Sequence, residues 1–207
     1  MKFFKVLTII VALFSVCCMT SVAKSNKAEQ KAVAKQVKDL KAQGYTYVGS
    51  TAFSLEEVLT NFRSELRSHP DYIELVQEGR GSSLTAATLE ALNSAAVTYA
   101  TAAGSVVDGG LGRDVGNALS YHDKFTAMYK QKVQNFIMTC LQSRIVLKRV
   151  NPKSKLIETR ISYIIDETKA IGARKQAAEE ALREVNADAK FGEIVNEFVK
   201  NVVNPQE

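Results

Sequence analysis

The sequence predicts a helix-rich α+β domain, on three observations. Long segments carry apolar residues at helical spacing, chiefly residues 26–42, 84–103 and Val115–Cys140. Two adjacent runs, Arg144–Val150 and Leu156–Ile165, are instead rich in β-branched residues and read as an antiparallel hairpin across Asn151-Pro-Lys-Ser-Lys155. With 46% hydrophobic and 24% charged residues, the composition is that of a chain able to bury a core.

The chain opens with a leader. Lys2 and Lys5 precede an apolar, uncharged run from Leu7 to Cys18, and Ser21-Val22-Ala23 supplies small residues at an exit site. That order reads as a secretory signal peptide over residues 1–23, with 24–207 left as a single domain. The apolar run falls short of the ~20 residues a bilayer-spanning helix needs, and the mature chain is expected to hold no transmembrane helix. Cys17 and Cys18 raise the alternative of a lipid anchor. Lipoprotein signals place a small residue before the lipidated cysteine, and Val16 and Cys17 stand there instead, so cleavage after Ala23 is the expectation. The expected location is the periplasm or the outer membrane.

The elements follow in order. Val33, Val37 and Leu40 give the first helix its apolar face, and Gly44 fits its end. Tyr45–Val48 is a short strand. Ser54-Leu-Glu-Glu57 has the form of a capping box for a helix carrying Val58, Leu59, Phe62 and Leu66, which His69-Pro70 stops. Tyr72–Gln77 is a strand, with a turn expected at Gly79-Arg80-Gly81. In 84–103, Ala87, Ala91 and Ala95 are four apart, as are Leu92, Ala96 and Ala100, so this helix should lie close against its neighbours. The glycines from Gly104 to Gly116 are expected to break it, since each costs about 1 kcal/mol in a helix interior relative to alanine.

In the hairpin, alternation puts Ile157, Thr159, Ile161, Tyr163 and Ile165 on one face and Glu158, Arg160 and Ser162 on the other. Pairing Val150 with Leu156 sets Lys148 opposite Glu158 and Ile145 opposite Ile161, with Ile145, Leu147, Ile161 and Tyr163 all facing the helices. Asp166 caps the next helix. A last amphipathic helix at about 189–203 carries Phe191, Ile194, Val195, Phe198 and Val202. This stripe either docks on its own domain, the favoured outcome, or serves as an interface for self-association or an envelope partner.

Signatures of chemistry are weak. The +5 charge is spread thinly rather than clustered, against nucleic-acid binding. Gly104–Leu111 has phosphate-loop spacing with Gly110 where lysine is required, and Gly110–Val115 misses the dinucleotide fingerprint, so no cofactor is expected. His69, His122 and Cys140 are the only imidazoles and thiol after the leader, and their spacing suits neither a metal nor a Cys–His nucleophile. Tyr45, Tyr47 and Tyr72 are candidate contacts for a sugar ligand, with core packing as the plainer account.

The layout of an alanine-rich helix (Ala86–Ala103), a long amphipathic helix, a hairpin ending in Arg160-Ile-Ser-Tyr-Ile-Ile165 and a lysine- and alanine-rich helix resembles the Lpp-twenty-like domain of bacterial envelope lipoproteins. It is similar to the amino-terminal domain of a flagellar envelope protein and to small exported proteins of unknown function. The resemblance covers about residues 30–185. It implies helices packed on one face of a small antiparallel sheet and transfers no catalytic residue. The expectation is a non-enzymatic envelope protein acting through contact. A glycan- or peptidoglycan-binding module and a hydrolase with an unrecognised site stand as alternatives.

Overall fold

The computed structural model describes residues 25–111, 119–186 and 188–200. Six helices and four strands follow one another as α1 (Ser25–Ala42), β1 (Thr46–Tyr47), α2 (Leu55–Ser68), β2 (Tyr72–Gly81), α3 (Leu84–Leu111), α4 (Leu119–Ile137), β3 (Leu141–Val150), β4 (Ile157–Asp166), α5 (Glu167–Val185) and α6 (Ala189–Phe198). The architecture is helix-rich α+β, with one antiparallel sheet in the order β1-β3-β4-β2 and helices packed against it. None of the described helices is long and apolar enough to cross a membrane.

Local chemistry sets the boundaries. Gly44, at φ +80, takes the left-handed conformation that ends α1. The Ser54 hydroxyl accepts from the Glu57 N–H at 3.2 Å, and the Glu57 carboxylate accepts from the Ser54 N–H at 2.8 Å, closing the expected capping box. Asp166 and Asp188 cap α5 and α6 through the N–H groups of Thr168 and Phe191, at 3.1 and 2.8 Å.

Two glycine expectations are corrected. Gly79 and Gly81 do not form a turn: β2 runs on to Gly81, because glycine lets α3 lie directly on the strand. A Cβ on Gly79 would stand 2.0 Å from the Ala87 carbonyl oxygen. Nor does Gly104 break α3, which continues through Gly109 and Gly110 to Leu111. Gly104 and Gly110 instead make room for neighbours. An added Cβ would meet the Lys130 side chain of α4 at the first and the Phe198 ring of α6 at the second, each at 2.2 Å. Helix propensity is overridden here by close packing. The expected start of α4 at Val115 lies outside the described residues. Its end is Ile137, with Cys140 in the turn that follows.

The hairpin register is one residue away from the expected one. Val150 pairs with Ile157, Arg149 with Glu158, Lys148 with Thr159 and Val146 with Ile161. The Asn151 carboxamide oxygen accepts from the N–H groups of Lys153 and Ser154, at 2.9 and 3.1 Å, while Lys155 turns left-handed at φ 61. The Asn151 N–H donates to the Leu156 carbonyl at 2.9 Å, which closes the loop one step tighter. Ile145 and Leu147 consequently face the opposite side of the sheet from Ile161 and Tyr163.

Each side has its own cover. Ile161 and Tyr163 pack with Ala91 and Ala95 of α3. Ile145, Leu147 and Ile164 pack with Val33, Val37 and Leu40 of α1 and with Leu55, Leu59 and Phe62 of α2. To the helix layer expected on one face, the structure thus adds an amino-terminal helix pair on part of the other. The largest core joins α3, α4, α5 and α6 around Phe125, Tyr129, Val133 and Phe191.

Candidate binding surface

The helix pair α1–α2 leaves part of its side of the sheet uncovered. On that side β2 presents Glu74, Val76, Glu78 and Arg80, all exposed, and β4 presents Ser162 and Arg160, half-buried. Glu74 lies nearest α2, where desolvation raises its pKa against a hydrogen bond with Ser162 and the charge of Arg63. Alternation along an antiparallel strand places these side chains together, since every second residue shares a face.

At one end of this strip a charged network is built around Glu158, whose side chain is only 6% exposed. Its carboxylate accepts from Asn151 Nδ2 at 2.8 Å and Arg149 Nε at 2.7 Å, with Arg80 Nε 3.5 Å away. The Asn151 and Arg149 hydrogen bonds hold the Glu158 carboxyl below the usual carboxylate range. Arg149 also lies over the Tyr45 ring, 4.6 Å from its centroid, and donates to the Gln43 carbonyl at 3.1 Å. Glu78 pairs with Arg160 at 3.4 Å. Glu78, Gly79, Arg80, Glu90 and Glu158 line a shallow cleft of about 230 Å³. The Tyr45 hydroxyl is buried without a hydrogen-bond partner, and burial pushes its pKa up.

The three candidate tyrosines do not converge. Tyr45 is buried beneath Arg149, and Tyr47 is half-buried beside Gly49. Tyr72 lies at the far end of β2, opposite Asp166, stacked on His69 with centroids 4.5 Å apart. The amphipathic stripe is placed on its own domain. Phe191 and Val195 are each 1% exposed, and Ile194 and Phe198 pack against the same core. Val202 lies outside the described residues.

His122, buried in α4, has Nε2 3.6 Å from Asp108 and Nδ1 3.3 Å from Asp123. It stands fifteen residues from the end of α4, about 22 Å along the axis, so Cys140 is remote from it. Among the described residues no group of three or more His, Cys, Asp or Glu side chains is arranged to hold a metal.

A second buried polar cluster ties α3 to α5. The Tyr99 hydroxyl donates to Glu167 at 3.1 Å, and Arg174 donates to both. Burial drives the Tyr99 pKa far up, so the phenol stays protonated. Nothing in the linear pattern announces this cluster, because its members are 68 and 75 residues apart. The Glu158 network has a readable signal, an acidic residue on the polar face of the hairpin, but the register expected from alternation sets Lys148 opposite it where the structure sets Arg149.

No protein-family model, curated protein or solved structure matches this chain.

Proposed function

We propose that this is an exported cell-envelope protein that works by contact with a partner rather than by turnover. The observation that carries the contact reading is the uncovered strip of Glu74, Val76, Glu78 and Arg80, which runs along an edge strand of the sheet beside the helix-packed β4. Export is supported by the leader, in which a basic start, an apolar run and small exit residues occur in order. The layout resemblance to Lpp-twenty-like envelope domains points the same way. Because the carboxy-terminal stripe is already used in the core, the strip is the better contact surface of the two.

Fractionation of cells producing the full chain tests this reading. The expected product has a mass beginning at Lys24 and sediments with the envelope, and a Glu74→Lys/Glu78→Lys variant of unchanged melting temperature is released to the soluble fraction. Full-length protein retained in the cytoplasm would overturn the export reading. Turnover of a cell-wall substrate that one polar substitution abolishes would overturn the contact reading.

A further inference from the structure

β2 is an edge strand of ten residues, paired to β4 without a bulge from Tyr72 to Gly81. Its two sets of main-chain groups can be told apart. The Arg80 N–H leaves the sheet and donates to the Glu90 carboxylate of α3, so residues of the same parity turn their N–H and C=O outward. The Asp71 carbonyl, of the other parity, accepts from Glu167 on the β4 side. Glu74, Val76 and Glu78 therefore present six main-chain hydrogen-bonding groups along an open edge.

The side chains on this edge finish rows that cross the sheet. Arg149, Glu158 and Arg80 form one row, alternating in sign. Leu147, Arg160 and Glu78 form the next, Ile145, Ser162 and Val76 the third, and Gln142, Ile164 and Glu74 the fourth. A strand continuing these rows would set an acid opposite Arg80, bases opposite Glu78 and Glu74, and an apolar residue opposite Val76. Val76 is 40% exposed. On α3, Val97, 46% exposed, lies two turns beyond Glu90 on the helix stripe that borders the same edge. An added chain would cover apolar surface on both of its sides.

Resting on the contact reading above, we propose that β2 binds an extended segment of a partner protein by antiparallel strand addition, the segment carrying acid, base, apolar and base at alternate positions from its amino end. Glu90 stops the addition at Arg80 by occupying that N–H. The charges argue against a second copy of the chain: pairing two β2 strands antiparallel about Val76 would set each Glu74 opposite the other copy's Glu78, like charge against like.

The test uses the purified protein and a blocked synthetic peptide with Glu, Lys, Val and Lys at alternate positions, separated by threonine. Its control exchanges the sign of every charge. Amide exchange is followed by NMR. The first peptide should slow exchange of the Glu74, Val76 and Glu78 amides at least tenfold and leave Ile73, Leu75 and Gln77 unchanged. The control should bind at least tenfold more weakly. Val76→Pro removes one outward N–H and leaves the β4 ladder intact, so it should keep the melting temperature within a few degrees and lose at least tenfold in peptide affinity.

Equal binding of the two peptides, binding without slowed exchange at those amides, or no binding would overturn the proposal. So would protection that rises with protein concentration in the absence of peptide, which would make a second copy the occupant. Failure here combined with strip-dependent sedimentation in the envelope removes strand addition and leaves the contact reading standing. A cytoplasmic protein removes that reading whatever the peptides do.

Discussion

The two faces of β4 make the most instructive comparison in the molecule. Toward α3, Thr159, Ile161, Tyr163 and Ile165 are each at most 2% exposed. Toward α1 and α2, only Ile164 and the network-bound Glu158 are buried, while Arg160 and Ser162 are half-open beside the uncovered residues of β2. One strand with one backbone geometry thus serves as core on one side and as surface on the other. The difference comes from the helices: α3 is 28 residues long and glycine on β2 lets it lie flat, whereas the 14-residue α2 and its partner α1 cover β1, β3, Ile164 and the Tyr72 end of β2 and leave Val76, Glu78 and Arg80 exposed.

Substitutions on the closed side should have the largest effects. Phe191→Ala removes a ring packed edge-on against Phe125, and an expected loss of about 3–5 kcal/mol in denaturant unfolding would confirm that α6 closes the core. A loss under about 1 kcal/mol would mean that the stripe is not buried. Gly79→Ala should cost about 1–3 kcal/mol, since its methyl must displace helix backbone rather than a flexible side chain. Unchanged stability would show that α3 does not touch β2 there.

Acid and alkali should act on different faces. The Glu158 carboxyl is held below its ordinary value of 4.5, so its stabilisation is complete above that pH and is lost as pH falls through the lower folded value. Glu158→Gln should flatten the acid limb of stability against pH. On the closed face, burial pushes the Tyr163 phenol from 10.0 up to about 12. Its protonated form favours the fold, so stability should decline as pH rises from about 10 to about 12, and Tyr163→Phe should reduce that decline. The smallest effect is expected on the open strip, where Val76→Ala should change stability by no more than about 0.5 kcal/mol.

The limits of reading this fold from sequence follow from the same comparison. Helical spacing, the Ser54–Glu57 box and the two β-branched runs were legible because each is a local pattern. The register was not. Choosing it by hydrophobic alternation assumes one dry face, and here Ile145 and Leu147 are buried on one face while Ile161 and Tyr163 are buried on the other. The choice fell to Asn151, whose turn hydrogen bonds carry no periodic signal. The glycines of α3 are hidden for a related reason: a glycine that admits a neighbouring Phe198 or Lys130 looks, in one dimension, like a glycine that breaks a helix. Of the candidate contacts, Tyr45 does lie at the charged network, but the open strip has no counterpart in the sequence, since exposure there depends on where two distant helices stop.

Amide hydrogen exchange along β2 in the free protein tests the open edge most directly. The arrangement described here predicts slow exchange at Ile73, Leu75 and Gln77, whose N–H groups bond to β4, and fast exchange at Glu74, Val76 and Glu78. Reversed parity, or uniform protection across the strand in the dilute monomer, would contradict it.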